Sequence, residues 1–215
     1  MVYFKLHLIR HGLTAGNLEG RYIGAGTDLP LCDEGRAQLA ALKRDFTYPP
    51  VELVFTSPLL RATETADILF PGVRQIPLRD LREMDFGEFE GRQVAELAKD
   101  PAFAAWMDPT SDAVPKGAES RAAFARRTEG MLMKLFEFMI KDHIREAACV
   151  THGGVIMNML ARHALPQRRP EDWMTDPGAG YSVRLDTAMW MRDHLAEVYD
   201  IVPAGYLDGM EEAQG

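Results

Sequence analysis

The sequence has little cysteine, no excess of basic charge and no long apolar run. Two cysteines, Cys32 and Cys149, stand among 215 residues, which argues against a disulfide-stapled fold and for a reducing compartment. The formal net charge of -8 argues against a broad nucleic-acid-binding face. No apolar run is long enough to span a bilayer, and no basic and apolar leader precedes the first strand. We therefore expect a cytoplasmic protein with neither nucleic acid nor membrane as a partner.

Short apolar runs alternate with segments of helical periodicity along the chain. The runs predict strands at residues 4–9, 53–56, 74–78 and 147–151, and the periodic segments predict helices at 33–46, 58–70, 119–143 and 154–164. Two later runs, 181–186 and 195–202, predict strands that form a hairpin at the sheet edge. Strands that alternate with helices favour a three-layer α/β/α sandwich around a mostly parallel, doubly wound sheet.

The domain organisation follows from length and composition. A chain of 215 residues fits one domain, which we place at residues 1–207, followed by a polar tail at 208–215. Residues 86–117 differ from the rest, because a short helical piece at 93–99 is followed by three prolines and a glycine. We predict that this segment is a small cap insertion over the site, without a hydrophobic core of its own.

Four segments carry side chains suited to phosphate chemistry. The first strand ends in Arg10 and His11, and open α/β sheets bind ligands at the carboxyl ends of their strands. Segments 56–66, 81–83 and 150–154 add Arg61, Glu83 and His152. Guanidinium groups bind phosphate oxygens in a bidentate way, an imidazole attacks phosphorus, and a carboxyl supplies a proton. Together these groups are what a phosphoryl transfer requires.

With these segments in this order, the sequence resembles the histidine phosphatase superfamily, which includes cofactor-dependent phosphoglycerate mutases. The resemblance runs from about residue 5 to about residue 202. It implies a metal-independent phosphatase that needs no cofactor and acts on a small phosphorylated metabolite. Within the superfamily the chain is similar to alpha-ribazole phosphatases and to broad-specificity members. The sequence does not indicate an oligomeric state.

The basic residues have functional and structural interpretations. His11 is the predicted nucleophile, because nearby arginines disfavour its charged form; alternatively it is a turn histidine. Arg10 and Arg61 are the predicted phosphate clamp, although Arg61 could pair with Glu64 on the helix surface. His152 is predicted to act as an imidazolium that neutralises transition-state charge, or else as a strand-end histidine held by a carbonyl.

Glu83 is the predicted general acid and base. Spacing alone leaves Asp85, Glu88 and Glu90 as competitors, and the resemblance selects Glu83. The predicted substrate-binding residues are Thr14, Asn17, Arg21, Tyr22 and Gly153. Turn and cap chemistry explains the first four equally well, and Gly153 lets the backbone approach a ligand closely. Ser57 is predicted to cap the helix that carries Arg61.

Three other functions compete with a phosphatase. A mutase shares the first half of the mechanism, but the short segment after Glu83 has few of the basic residues that a mutase cap carries. A non-catalytic phospholigand-binding protein would be expected to lose a nucleophile, clamp or acid, and none is missing. A metallohydrolase is disfavoured by the spacing of the six histidines. Leu13 stands where the superfamily often has Glu, which leaves the substrate undetermined.

Overall fold

The computed structural model describes residues 3–108 and 110–206, so the predicted tail at 208–215 lies outside the described residues. The strands are β1 (Tyr3–Arg10), β2 (Leu53–Thr56), β3 (Gln75–Pro77), β4 (Glu146–Thr151), β5 (Ala164–Leu165), β6 (Gly180–Asp186) and β7 (Ala196–Val202). The helices are α1 (Ala15–Leu18), α2 (Asp33–Asp45), α3 (Leu60–Leu69), α4 (Val94–Leu97), α5 (Pro101–Met107), α6 (Arg121–Lys141), α7 (Gly153–His163) and α8 (Thr187–Asp193). Short 3₁₀ helices lie at Arg79–Leu81, Gly87–Phe89 and Pro170–Trp173.

The strands form a single sheet in the order β3-β2-β4-β1-β6-β7-β5. The pairs β3–β2, β2–β4 and β4–β1 are parallel, whereas β6 runs antiparallel to both β1 and β7. The predicted doubly wound, mostly parallel sheet is therefore confirmed. The predicted edge position of the late strands is wrong, because β6 pairs with β1 inside the sheet and β5 lies beyond β7. Helix α8 also separates β6 from β7 along the chain.

Hydrophobic side chains cover both faces of this sheet. Along β1, Leu6 and Leu8 belong to the cluster that α6 and α7 complete, whereas Ile9 belongs to the cluster of α2 and α3. This alternation follows from the period of a strand, whose successive side chains point to opposite faces. Two helices on each face give the predicted α/β/α sandwich. Burial on both faces explains why β2 and most of β4 are runs of apolar residues.

The parallel register brings three strand ends to one edge of the sheet. Arg10 of β1 lies opposite Thr151 of β4, and Thr56 of β2 lies opposite Val150. The residues that follow these strands are His11, His152 and Ser57. Sequence segments more than 40 residues apart in the chain therefore meet at one place.

Residues 86–117 contain a 3₁₀ helix, α4 and α5. Phe89, Leu97 and Trp106 are buried together in a cluster separate from the two beside the sheet, and Tyr22 and Phe103 pack against it. The expectation that this segment has no hydrophobic core is therefore wrong. Large aromatic rings bury much area from few residues, and Phe89 lies with its ring centroid 5.7 Å from that of Trp106.

Candidate active site

The two site histidines meet at the carboxyl ends of β1 and β4. The backbone N–H of His11 donates to the carbonyl of Thr151 over 2.9 Å, which ties the two strand ends together. The His11 and His152 ring centroids are 5.0 Å apart. Both side chains are buried, with exposed fractions of 7% and 0%. The structure therefore brings the two predicted histidines into one site.

His11 is held in a single tautomer. Its Nδ1–H donates to the carbonyl of Gly12 over 2.7 Å, because a carbonyl oxygen only accepts. This bond leaves the lone pair on Nε2. Burial, with the charge of Arg61 and then of Arg10, lowers the pKa of His11 to about 3. The ring is neutral near pH 7, with a free lone pair on Nε2.

Arg61 is buried rather than at the helix surface. Its side chain is 1% exposed, and its Nη atoms donate to the carbonyls of Thr27 and Gly24 at 3.0 and 2.9 Å. Glu64 instead pairs with Arg36, at 2.8 Å. The alternative interpretation of Arg61 as a surface partner of Glu64 is therefore wrong. The Arg61 Nε lies buried without a hydrogen-bond partner.

Arg10 and His152 also have one unpartnered donor each. Arg10 donates from Nη1 to the carbonyl of Thr175 over 2.7 Å, while its buried Nε has no partner. His152 Nδ1 is likewise buried and unpartnered. Buried polar groups are normally hydrogen-bonded. Three orphaned donors on residues beside His11 are what an anion-binding site requires.

Ser57 sets the state of His152. Its Oγ lies 2.8 Å from His152 Nε2 and accepts the backbone N–H of Leu59 at 3.4 Å. We assign the Ser57 hydroxyl as the donor to Nε2, which places the His152 proton on Nδ1, the atom that faces an anion. Burial, with the field of His11 and Arg61, lowers the pKa of His152 well below its usual value. The resting site therefore favours a neutral ring with Nδ1–H as donor, and the imidazolium predicted for the transition state stays a prediction.

Ser57 was expected to cap α3, but it does not. The capping position is Leu59, which makes no side-chain cap. The Ser57 hydroxyl instead bonds His152, which lies 95 residues further along the chain. The sequence signal for this role is the position of Ser57 directly after β2, at the edge of the sheet where the site lies.

Glu83 is held by two backbone donors. Its Oε1 accepts the N–H of Met84 at 3.0 Å, and its Oε2 accepts that of Gly154 at 3.1 Å. Burial raises the pKa of Glu83, although these two hydrogen bonds and the charges of Arg61 and Arg127 act in the opposite direction. A carboxyl with a raised pKa keeps its proton to higher pH, as a general acid must.

The three competing carboxylates fix loops. Asp85 accepts the N–H of Gly87, and Glu88 accepts that of Lys116. Glu90 accepts three backbone N–H groups, those of Gly24, Gly26 and Phe86. These roles account for their occurrence beside Glu83 in the sequence.

A cavity of about 780 Å³ opens beside Glu83. Of the predicted site residues, Arg10, Asn17, Arg21, Tyr22 and Glu83 line it. Its remaining lining residues are mostly apolar: Ile23, Met84, Phe86, Trp106, Met107, Phe124, Ala125, Met157 and Pro170, with Arg121, Gly154, Asn158 and Glu171 as the others.

Three residues of the loops are placed differently from the expectation. Thr14 is buried away from the cavity lining and caps α1. Its N–H donates to Asn17 Oδ1 over 3.0 Å, which orients the Asn17 amide. Gly153, predicted to bind substrate, is not among the lining residues, whereas Gly154 lines the cavity and donates its N–H to Glu83. Leu13, which stands where the superfamily often has Glu, is not among the lining residues either.

Two further properties concern the described ranges 3–108 and 110–206. None of the helices there has the length and hydropathy needed to cross a bilayer. No group of three or more His, Cys, Asp or Glu there is arranged to hold a metal ion. Cys32 and Cys149 are free thiols.

Comparison with known proteins decides the family. A family model of the histidine phosphatase superfamily (branch 1) matches residues 6–196. The chain belongs to this superfamily. The adenosylcobalamin/alpha-ribazole phosphatase of Salmonella typhimurium is 34% identical over 163 residues, which cover 74% of this chain and 78% of that protein.

Solved structures of the superfamily share the fold. The alpha-ribazole phosphatase from Shigella flexneri matches with a TM-score of 0.73 and 28% identity, over 91% of this chain and 95% of that one. A phosphoglycerate mutase from Bacillus anthracis matches with a TM-score of 0.72 and 21% identity, over 93% and 92%. At that identity the second match speaks for the fold alone. Relatives of this member of the histidine phosphatase superfamily thus include proteins named as phosphatases.

Proposed function

We propose that this chain hydrolyses phosphomonoesters of small molecules through a phosphohistidine on His11. The observation that carries the proposal is the set of three buried, unpartnered donors on Arg10, Arg61 and His152 around a neutral imidazole. The donors suit the oxygens of a phosphoryl group, and Nε2 of His11 suits the attack on its phosphorus.

In the first step, the Nε2 lone pair of His11 attacks phosphorus. An N–P bond forms and the ester P–O bond breaks. The Glu83 carboxyl gives its proton to the leaving oxygen, which would otherwise depart as a poorly stabilised alkoxide. The orphaned donors of Arg10, Arg61 and His152 bind the oxygens on which negative charge builds up.

In the second step, a water molecule attacks the phosphohistidine. The Glu83 carboxylate takes a proton from that water, an O–P bond forms, and the N–P bond breaks. Inorganic phosphate leaves, and His11 and Glu83 return to their starting states. Arginines and neutral imidazoles take the place of a metal ion in both steps, so we expect catalysis without one.

A phosphatase is favoured over a mutase by the cavity and by the relatives. The basic residues of 86–117 are Arg92, Lys99 and Lys116, and none of them lines the cavity. Arg21, which does line it, also donates to the carbonyl of Gly91 over 2.8 Å and pairs with Glu19. Outside the phosphate clamp, a phosphoglycerate carboxylate would therefore meet one lining cation, Arg121, without a carboxylate partner among the described residues; its Nη2 contacts Met107 Sδ. The relative from Salmonella typhimurium is named a phosphatase.

The test is a panel of phosphomonoesters assayed for free phosphate, beside an assay for 2-phosphoglycerate and 3-phosphoglycerate interconversion. The panel includes alpha-ribazole phosphate, sugar phosphates and alkyl phosphates, each with and without EDTA. We expect phosphate release from at least one ester to exceed mutase turnover by far and to survive chelation. Efficient interconversion with little free phosphate would replace the phosphatase by a mutase. Activity lost with EDTA and restored by a divalent ion would contradict the metal-independent mechanism.

A further inference from the structure

The loop that carries Glu83 has little regular structure of its own. It runs from the 3₁₀ helix Arg79–Leu81 to the next at Gly87–Phe89. Its first anchor is the hydroxyl of Thr151 at the end of β4, which donates to the carbonyl of Leu81 over 2.7 Å. A single side chain donates to the carbonyls of the two residues that follow, Arg82 and Glu83, and to that of Asp80 just before Leu81.

Arg127 of α6 supplies those donors. Its Nη1 donates to the carbonyls of Asp80 and Arg82 at 2.8 and 2.6 Å. Its Nη2 donates to the carbonyl of Glu83 at 2.8 Å. The guanidinium therefore binds the backbone of Glu83 itself and of two residues that precede it, Asp80 and Arg82.

Glu119 completes the partners of Arg127. Its two carboxylate oxygens accept from Nε and Nη2 at 2.7 and 2.8 Å, and its backbone N–H donates to the carbonyl of Asp85 at 2.8 Å. A guanidinium has five N–H donors, and these contacts use all five. The pair is largely buried, with side chains 16% and 19% exposed.

This accounting separates Arg127 from the phosphate clamp. Arg10 and Arg61 each keep an unpartnered Nε, whereas Arg127 has no N–H left for a substrate. It is also absent from the cavity lining; its guanidinium lies 4.7 Å from the ring centroid of Phe124, which does line the cavity. Arg127 can therefore act on the reaction only through the loop.

We infer that Arg127, held by Glu119, is the positioning residue that keeps the Glu83 carboxyl against Gly154 and towards the leaving oxygen. The inference rests on the proposed role of Glu83 as the general acid. A lysine cannot replace this arginine, because one ammonium cannot reach three carbonyls and a carboxylate in a planar fork. A displacement of about 1 Å in a catalytic group costs on the order of 100-fold in rate.

The experiment compares Arg127→Met with Arg126→Met, its exposed neighbour on the same helix. An alkyl phosphate needs a protonated leaving oxygen, and 4-nitrophenyl phosphate does not. We expect Arg127→Met to lower kcat/KM on the alkyl ester by about 100-fold, with a much smaller effect on kcat/KM for the nitrophenyl ester. The ratio kcat/KM is compared because it reports the steps up to formation of the phosphohistidine, whereas the hydrolysis step that follows is common to both esters. Arg126→Met should behave as the wild type on both.

A double-mutant cycle with Glu83→Gln shows whether Arg127 acts through Glu83. If it does, Arg127→Met added to Glu83→Gln causes little further loss on the alkyl ester. Full additivity, or equal losses on both esters, would overturn the inference. If Arg127→Met does not fold, Glu119→Gln takes its place, because it removes one charge and keeps the shape of the side chain. We expect Glu119→Gln to lower the rate by less, with the same dependence on the leaving group. A rate loss that does not depend on the leaving group would contradict the inference.

Failure of the proposed function gives a different pattern. If Glu83 is not the acid, Glu83→Gln lowers the rate by the same factor on both esters. If Glu83 is the acid but Arg127 does not position it, Glu83→Gln lowers the rate more on the alkyl ester, and Arg127→Met lowers it equally on both.

Discussion

The two ends of the candidate site are built by different means. The phosphate end, made of Arg10, His11, Arg61 and His152, lies at the ends of β1 and β4 and at the start of α3, and it is held by backbone carbonyls and a serine. Of these four residues, Arg10 lines the cavity. The ester end, made of Tyr22, Phe86, Trp106 and Arg121, comes from loops, the segment 86–117 and the start of α6. The sheet thus fixes the reacting groups, and the loops shape the space for the rest of the substrate.

The comparison teaches which changes should affect every substrate and which only some. In the proposed mechanism, donors at the phosphate end bind a group common to all phosphomonoesters, and side chains at the ester end contact the part that differs. Glu83 lines the cavity, and in the proposed mechanism it protonates the oxygen that joins phosphate to leaving group, so we place it between the two ends.

The largest effect should follow a change at the phosphate end. We expect Arg61→Lys to lower kcat/KM by about 10³-fold on all phosphomonoesters alike, the upper cost of one transition-state donor, because a lysine cannot serve the carbonyls of Thr27 and Gly24 and a phosphate together. Steady-state kinetics on an alkyl and a nitrophenyl ester measure it. Arg44→Lys, on an exposed arginine paired with Asp45, is the control. A loss that depends on the leaving group would break the division between the two ends.

The sequence predicted the phosphate end better than the rest of the site. The strands and helices that carry or precede Arg10, His11 and Arg61 have apolar patterns that can be recognised within a few neighbouring residues. For example, β2 has the predicted bounds 53–56. The partners of Ser57 and Gly154 lie 95 and 71 residues away. Such contacts depend on the topology of the sheet, which spacing along the chain does not show.

The same reason explains the errors. The late strands are predicted at the sheet edge, but β6 pairs with β1 inside the sheet. Arg127 was one more polar residue on a helix, and its contact with Glu83 spans 44 residues. The core of segment 86–117 depends on contacts among the aromatic rings of Tyr22, Phe89 and Trp106. These contacts follow from the fold and cannot be recognised from the sequence.

The next largest effect should separate two adjacent glycines. A Cβ on Gly154 would lie 2.5 Å from Glu83 Oε1, whereas on Gly153 its nearest neighbour would be Arg10 Nε at 3.7 Å. We expect Gly154→Ala to lower kcat/KM on an alkyl phosphate by about 100-fold, the lower end of general acid catalysis. Gly153→Ala should lower kcat/KM far less in the same assay. Similar decreases in kcat/KM for both variants would mean that the contact between Gly154 and Glu83 does not determine the rate.

The pH dependence should sharpen the role of Glu83. Only its protonated form acts as acid, and its raised pKa keeps that form above the usual glutamate range, so alkyl ester turnover should fall as pH rises through that pKa. His11, with a pKa of about 3, stays neutral over this range. The substrate's own ionisation, with a pKa of about 6, remains in Glu83→Gln. Identical kcat/KM profiles for wild type and Glu83→Gln would argue against the assignment.

The smallest effect should come from the ester end. Trp106→Phe keeps an aromatic ring in the cluster of Phe89 and Leu97 but removes the indole N–H. We expect KM for a bulky aromatic ester to rise by about two- to tenfold, the worth of one hydrogen bond. KM for ethyl phosphate should not change. An equal change for both esters would show that Trp106 acts on the phosphate end as well.

The most direct test of the account is to find the phosphoryl group during turnover. Enzyme quenched with a labelled phosphomonoester should carry an acid-labile, base-stable phosphoramidate on His11, which peptide mapping locates. His11→Ala should carry no label and show no phosphatase activity. Label on a serine, or full activity in His11→Ala, would contradict the mechanism.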